Sequence, residues 1–186
     1  MKVSELTIKG SYKIKNTRFP DSRGYFQEWF NSSIFLDATG ITLQPTQANL
    51  SSSAAGVIRG VHYSLSPHKQ AKWVTCVSGK VLDCIVDLRF GSPTFGLFEF
   101  VELSAENSTC VYLEGGLGHA FMALEKSEVV YLLSSSYEPN HELAVNVFDK
   151  TINISWPGDS FILSERDQFA PSLNQQFDRG LLPKFN

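Results

Sequence analysis

Short runs of β-branched and aromatic residues alternate with turn signals along most of the chain. Four of these runs are the clearest, at residues 71–77, 81–88, 95–103 and 129–133. Turn sequences such as Ser78-Gly79 separate them, and this spacing is typical of an all-β protein whose strands form a sandwich or a barrel. We therefore predict one antiparallel β domain, with a double-sheet jelly roll favoured over other sandwiches.

Helical periodicity is confined to two short segments. Residues 31–39 predict a helix that begins near Asn31 or Ser32 and ends at Gly40, and residues 172–177 predict another. No long helical period links successive strands, which argues against a parallel α/β fold.

One of the predicted strands is apolar on both faces. Residues 81–86 are hydrophobic at almost every position, so both faces of this strand should be buried. Asp83 is the exception. A buried carboxylate costs free energy unless it is paired, so the sequence predicts a partner for Asp83.

Composition limits the class of protein. The chain has 186 residues, 42% of them hydrophobic, and a formal net charge of −3, as in ordinary soluble globular proteins. This mild acidity argues against nucleic acid or an anionic membrane as the main partner. The longest apolar stretches hold about five residues, too few for a membrane-spanning helix or a signal peptide, so we expect a cytoplasmic protein. An odd number of cysteines, Cys76, Cys84 and Cys110, indicates neither a disulfide framework nor a zinc site.

The segment Arg-Gly-Val-His-Tyr at residues 59–63, followed by Lys72, holds the most promising chemistry. Strict alternation along a strand places Arg59 and His62 on opposite faces. Histidine is suited to proton removal near neutral pH, and a lysine on a neighbouring strand can stabilise the oxyanion that results. A half-exposed histidine and a surface lysine explain the same pattern.

Other polar positions also have both a functional and a plain structural interpretation. Gln47 and Asn49 lie on one face of a strand, where amides either read a base or a sugar or simply cover an exposed sheet. Tyr131 follows a glycine-rich turn at residues 114–118 and is either a site residue or a core aromatic. Asp167 is either a carboxylate that orients a histidine or part of a charged turn.

Metal and phosphate-loop motifs are missing from the sequence. The four histidines, at positions 62, 68, 119 and 141, form neither a His-x-His pair nor a group with carboxylates at ligand spacing. P-loop and dinucleotide fingerprints are absent as well. A metal-dependent cupin oxygenase or isomerase is therefore kept only as an alternative. A non-catalytic sugar-binding jelly roll is a second alternative, against which the presence of His62, Lys72, Tyr131 and Asp167 argues.

Ten short motifs occur in an order that resembles a known enzyme family. The motifs are Asp21-x-Arg23-Gly24, Gln47-x-Asn49, Arg59-Gly60-Val61-His62-Tyr63, Gln70-x-Lys72, Asp83-x-x-x-Asp87-Leu88-Arg89, Gly91-Ser92-Pro93-Thr94-Phe95-Gly96, Gly118-His119-Ala120-Phe121, Tyr131, Tyr137-x-Pro139-x-x-Glu142 and Leu163-Ser164-x-x-Asp167. Together they resemble the dTDP-4-dehydrorhamnose 3,5-epimerase family across nearly the whole chain. The resemblance implies an all-β, cupin-type double-sheet antiparallel jelly roll with a few short helices, as a single domain over residues 1–186. It also implies a homodimer that works without a metal or an organic cofactor.

The resemblance further implies a role for each matching residue. His62 corresponds to the general base, Asp167 to the carboxylate that orients it, Lys72 to the support of the enolate oxygen, and Tyr131 to the acid on the opposite face. The matching substrate-binding positions are Arg23, Glu28, Gln47, Asn49, Arg59, His119, Glu142 and Arg166. In family members the equivalent of Arg23 lies near the site of the other subunit, which implies sites shared between chains.

Three positions depart from the commoner family pattern. Ala120 stands where glycine is usual, Ser64 where the rhamnose enzymes have glutamine, and Arg166 where lysine is usual. The segment 118–124 is more similar to the branch that serves unusual deoxysugars, some of whose members invert a single carbon. The implied function is epimerisation at C3, C5 or both of a nucleoside-diphosphate-4-keto-6-deoxyhexose, with dTDP favoured as the carrier and CDP as the alternative.

Overall fold

A computed structural model describes residues 1–185, whose regular structure is mostly β. In chain order the elements are β1 (Lys2–Glu5), β2 (Ser11–Lys15), β3 (Arg18–Asp21), β4 (Gly24–Gln27), α1 (Ser32–Thr39), β5 (Gln47–Ser53), β6 (Ile58–Ser64), β7 (Lys72–Ser78), β8 (Lys80–Val86), β9 (Phe98–Ser104), β10 (Thr109–Leu113), β11 (Gly118–Ala123), β12 (Ser127–Leu133), β13 (Glu142–Ala144), α2 (Glu165–Gln168) and α3 (Leu173–Asp178). The four hydrophobic runs correspond to β7, β8, β9 and β12, so these predicted strands are confirmed.

Two antiparallel sheets face each other, as the predicted jelly roll requires. One sheet has six strands in the order β1-β2-β10-β7-β12-β5, and the other has five in the order β13-β6-β11-β8-β9. Strands β3 and β4 form a separate hairpin that pairs with neither sheet. The order of strands in the two sheets does not follow the chain, so neighbouring positions in the site come from distant segments. The predicted all-β fold class is confirmed.

Three hydrophobic clusters hold the layers together. The interior cluster lies between the sheets and includes Val74, Ile85 and Phe121. A second cluster covers the outer face of the five-stranded sheet with the C-terminal segment, and a third covers the outer face of the six-stranded sheet with α1. Because side chains alternate along a strand, residues two positions from members of the interior cluster also point between the sheets.

The first helix begins and ends where the sequence predicts. The side chain of Asn31 accepts a hydrogen bond of 3.0 Å from the backbone N–H of Ile34, which caps the N-terminus. At the other end Gly40 adopts a left-handed conformation with φ of 73°, and its N–H donates to the Leu36 carbonyl at 2.7 Å. Phe35, fully buried, attaches this helix to the sheet.

A bulge in β6 overturns one prediction from simple alternation. His119 of β11 pairs with His62, and Phe121 pairs with Arg59, so Ala120 alone faces both Gly60 and Val61. The extra residue places Arg59 and His62 on the same interior face, and the predicted opposite placement was wrong. Gly60 is required here because its φ is 120° and a Cβ would lie 2.5 Å from the His119 carbonyl oxygen.

Among residues 1–185, no helix is long and apolar enough to cross a membrane.

Candidate active site

A histidine and a carboxylate from distant segments meet on the inner face of the five-stranded sheet. His62 Nε2 lies 2.7 Å from Asp167 Oδ1, although the two residues are 105 positions apart in sequence. Asp167 belongs to α2, a four-residue helix that the sequence analysis missed. The missed signal was Ser164, whose Oγ accepts the Asp167 N–H at 3.2 Å as an N-cap. The pairing inferred from family resemblance is therefore present in the structure.

The environment of Asp167 keeps its carboxylate ionised. Burial by itself would raise the pKa of Asp167, but the hydrogen bond and charge of His62, with the Ser164 and Gly60 hydrogen bonds, hold the net pKa below its usual value. An ionised carboxylate only accepts hydrogen bonds, so Nε2 of His62 must be the protonated nitrogen. Nδ1 of the neutral ring is then left with a free lone pair, which is what a general base needs.

A second histidine–carboxylate pair lies directly beside the first. His119 Nε2 is 2.7 Å from Asp83 Oδ2, and both side chains are buried. His119 is the cross-strand neighbour of His62, so the two pairs share the same inner face. The predicted partner of Asp83 is thus His119, and the prediction that Asp83 needs a partner is confirmed. Asp83 itself was not among the predicted site residues.

Lys72 reaches the same interior from the opposite sheet. It begins β7, and Val74 two positions later belongs to the interior cluster, so Lys72 points between the sheets. Burial lowers the pKa of Lys72, and the negative charges of Glu142 and Asp83 partly offset that effect. The amino group of Lys72 thus interacts electrostatically with both carboxylates.

Tyr131 and the two predicted amides lie on neighbouring strands of the six-stranded sheet. Tyr131 pairs with Asn49 across β12 and β5, and its ring packs against the interior cluster. Gln47 donates from Nε2 to Asn49 Oδ1 at 2.9 Å, and its Oε1 accepts the Tyr137 N–H at 3.0 Å. This wall of the site thus carries a phenol and two amides opposite the His62 wall.

Two guanidinium groups border the site and are held in place by hydrogen bonds. Arg59 crosses to the other sheet, where its Nε donates to Ser53 Oγ and its Nη2 to the Ser52 carbonyl, both at 3.0 Å. Arg166 donates from Nη2 to the Glu142 carbonyl at 3.0 Å. Both side chains are exposed, so they present positive charge to solvent at the site.

Arg23 and Glu28 are not brought to this cluster within one chain. Arg23 lies at the tip of the β3–β4 hairpin, where it pairs with Asp21 at 2.6 Å and its side chain is 87% exposed. Glu28 accepts a hydrogen bond of 3.1 Å from Asn31 Nδ2. In residues 1–185, neither has a hydrogen bond or ion pair with another predicted site residue.

The motif residues that follow β8 have a structural role. Asp87, fully buried, accepts two hydrogen bonds of 2.8 Å from the Arg89 guanidinium and others from the hydroxyls of Ser92 and Thr94. Burial would raise the pKa of Asp87, but these donors hold it below its usual value. The network fixes the loop after β8, which leads away from the strand that carries Asp83.

Comparison with known proteins identifies the family. The family model described as dTDP-4-dehydrorhamnose 3,5-epimerase matches residues 5–175. The chain belongs to the dTDP-4-dehydrorhamnose 3,5-epimerase family. A protein of that name from Mycobacterium tuberculosis is 43% identical over 189 residues, which cover 100% of this chain and 94% of that protein. The resemblance inferred from the ten motifs is confirmed.

Solved structures of this family have the same fold. NovW, a 4-keto-6-deoxy sugar epimerase from Streptomyces spheroides, is 42% identical with a TM-score of 0.97, covering 100% of this chain and 94% of that one. ChmJ, a 3'-monoepimerase from Streptomyces bikiniensis in complex with dTDP-quinovose, is 43% identical with a TM-score of 0.93, covering 96% and 91%. The chain is therefore similar both to a 3,5-epimerase and to an enzyme that inverts one carbon.

In the described part of the chain, no three His, Cys, Asp or Glu side chains gather so as to hold a metal ion.

Proposed function

We propose that this protein epimerises C3, C5 or both of a dTDP-4-keto-6-deoxyhexose. The observation that carries the proposal is the His62–Asp167 pair at 2.7 Å on one wall of the sandwich, with Lys72 and Tyr131 on the opposite wall. A base and an acid on opposite walls are what inversion of a carbon requires, since the proton must leave from one face and return to the other.

The first step is proton removal beside the ketone. The C4 carbonyl acidifies the hydrogens on C3 and C5, and His62 Nδ1 accepts one of them while Nε2 stays hydrogen-bonded to Asp167. The electrons of the broken C–H bond move to the C4 oxygen and form an enolate. Asp167 stabilises the imidazolium that results, because its carboxylate is ionised and 2.7 Å away.

The enolate oxygen needs a positive environment. Lys72 supplies a charge in the interior, where an electrostatic interaction is stronger than in water. His119 adds a second polar group on the neighbouring strand, and Asp83 fixes its ring at 2.7 Å. We assign His119 to the binding and polarisation of the C4 oxygen together with Lys72.

The second proton comes from the six-stranded sheet. Tyr131 lies on β12 and faces the wall that carries His62, so its hydroxyl protonates the enolate carbon from the other side. The carbon is inverted, the ketone is restored, and proton exchange with solvent resets His62 and Tyr131. No electron is gained or lost, so the reaction needs no redox partner.

The nucleotide and a second subunit complete the proposed site. Arg59 and Arg166 offer exposed guanidinium groups for charge-assisted hydrogen bonds to the pyrophosphate, and Gln47, Asn49 and Glu142 offer polar contacts. Arg23 and Glu28 are assigned to the site of the opposite chain in a homodimer. The hairpin that carries Arg23 exposes large aromatic side chains, Phe19 at 58%, Tyr25 at 54% and Phe26 at 69%, which supports contact with a partner.

Incubation with substrate in D2O tests this function. We expect deuterium at C3, or at C3 and C5, of dTDP-4-keto-6-deoxyglucose, detected by NMR, and slower incorporation into the CDP-linked analogue. The positions labelled decide between one and two inversions. Absence of incorporation with both nucleotides in a folded protein contradicts the proposal and favours the non-catalytic sugar-binding alternative. One tightly bound Fe, Mn or Zn per chain favours the metal-dependent alternative. A cytoplasmic location stays a prediction.

A further inference from the structure

Two histidines that the proposed mechanism does not use stack against each other beside the site. His68 lies in the loop between β6 and β7, and His141 lies just before β13. Their ring centroids are 4.4 Å apart, their planes are tilted by 48°, and both residues are half-buried. The stack therefore joins the loop that leads into Lys72 to the segment that leads into Glu142.

The ring of His141 is poorly placed to carry a second proton. Within residues 1–185, its Nδ1 is buried and has no hydrogen-bond partner. A neutral imidazole tolerates this arrangement because one nitrogen is only an acceptor, whereas an imidazolium donates from both nitrogens. A buried donor without an acceptor costs free energy, so a protonated ring is favoured to turn toward water.

The segment before His141 contacts the proposed substrate site. Residues 134–141 connect β12 to β13, and within them the Tyr137 N–H donates to Gln47 Oε1 at 3.0 Å. At the far end the His141 N–H donates to the Glu138 carbonyl at 2.9 Å, and the His141 carbonyl accepts the Leu65 N–H at 3.1 Å. Among residues 1–185, only backbone hydrogen bonds and the histidine stack attach this end of the segment to the rest of the protein.

We propose that His68 and His141 form a pH-sensitive clasp over the site. Neutral rings stack and hold the end of residues 134–141 that follows Ser135 against the wall that carries Gln47, whereas Ser134 and Ser135 are held separately by hydrogen bonds to Ala71 and Gln70. Protonation of both rings places two like charges at 4.4 Å and leaves a buried donor unpaired, so the rings separate and the segment is released. Imidazole changes its charge between about pH 5 and 8, so the clasp opens on mild acidification.

Charged groups around the pair are of both signs. Lys69 and Lys72 follow His68 along the chain, whereas Glu138 and Glu142 flank His141. Arg166, which donates to the Glu142 carbonyl from α2, adds a further positive charge on that side. The positive and negative charges around the pair offset one another. Two features therefore determine that protonation opens the clasp: the short distance between the two rings, and the buried Nδ1 of His141, which has no hydrogen-bond partner among residues 1–185.

Hydrogen exchange of the unliganded protein tests the clasp directly. Exchange of residues 134–141 is followed by mass spectrometry at about pH 7.5 and about pH 5.5, and rates are corrected for intrinsic chemistry. We expect protection to fall about fivefold or more at the lower pH, because two like charges about 4 Å apart repel by about 1 kcal/mol even in bulk water. The double variant His68→Phe, His141→Phe keeps two stacked rings without a titrating group and should retain its protection. Lys126→Met, an exposed change at the far end of β12, should behave as the unmodified protein does.

Two results overturn the clasp. Equal loss of protection in the double Phe variant shows that other groups release the segment, and unchanged protection in the unmodified protein shows that no release occurs. If the double variant does not fold, His68→Gln removes one charge and should keep more protection at about pH 5.5 than the unmodified protein. The clasp rests on the proposed function only for its effect on substrate access. The exchange measurement uses no substrate, so it can fail while the epimerase proposal stands.

Discussion

Replacement of Asp167 by asparagine tests the centre of the mechanism with an almost isosteric change. Asp167 is 3% exposed, so the pocket has no room for a larger substitution, and asparagine has nearly the same shape. The variant removes the negative charge 2.7 Å from His62 Nε2 and introduces an NH2 group that can donate. Both changes act on the base without touching the substrate.

The size of the effect follows from two contributions. A nearby opposite charge shifts a pKa by about 1–3 units, or about 1.4–4 kcal/mol, which corresponds to about 10- to 1,000-fold in rate. The second contribution is the tautomer of His62. The Gly60 N–H points at Asp167 Oδ2 at 3.5 Å, so the amide oxygen of asparagine prefers that side and the NH2 group turns to His62. His62 is then protonated on Nδ1, the proposed base, and the total loss in kcat should be about 1,000- to 10,000-fold.

The assay is deuterium incorporation at C3 and C5 in D2O, followed by NMR. Nucleotide affinity should change by only a few-fold, because Asp167 does not contact the pyrophosphate in the proposed site, and circular dichroism should report a folded protein. Asp178→Asn is the matched control, since Asp178 is exposed at the end of α3, and it should keep normal activity. A folded Asp167→Asn variant that loses less than about tenfold in kcat refutes the assigned role, because even the charge contribution alone exceeds that.

The same variant should change the acid stability of the protein. The folded pKa of Asp167 is depressed, so its ionised form contributes stability above the unfolded pKa of about 3.9 and loses it as pH falls through the lower folded pKa. Asp167→Asn removes this titration, so its unfolding free energy should fall less steeply below about pH 4 than that of the unmodified protein. Urea unfolding at several acidic pH values measures the difference, and parallel curves contradict it.

Three other experiments separate the remaining roles. Tyr131→Phe keeps the ring but removes the acid, so NMR in D2O should detect exchange with retained configuration well above epimer formation; full inversion shows that another group is the acid. Lys72→Met should abolish most turnover yet raise the melting temperature at neutral pH, because burial lowers the pKa of Lys72 and its charge therefore opposes folding below the unfolded pKa of about 10.4; a lower melting temperature contradicts this reasoning. Inactive Arg23→Ala and His62→Ala chains, mixed and allowed to exchange subunits, should regain activity in heterodimers; no recovery despite proven exchange argues against shared sites.

Local sequence patterns were enough to predict the strands and helix ends that depend only on residues close together in the chain. The strands β7, β8, β9 and β12 are continuous apolar or alternating runs, and a period of two needs no partner to be recognised. The helix α1 was located correctly because Asn31 and Gly40 satisfy its terminal backbone groups by themselves. The order of ten motifs identified the family, since ten such motifs in sequence are specific although any one of them is weak.

Tertiary structure decided which of these residues meet. Asp167 reaches His62 across 105 positions through a four-residue helix too short to have a periodicity. Arg59 and His62 share a face only because two residues of β6 oppose one of β11, and a bulge depends on the partner strand. The sequence predicted that Asp83 needs a partner but not that the partner is His119. A carboxylate within an apolar strand is recognisably buried, but the strand does not show which residue of another strand contacts it. Sequence by itself thus determined the strands, the helix caps and the kinds of reactive group. Long-range packing determined the distances between those groups. The physical reason is that periodicity describes a single strand, whereas the site is built from side chains of several strands.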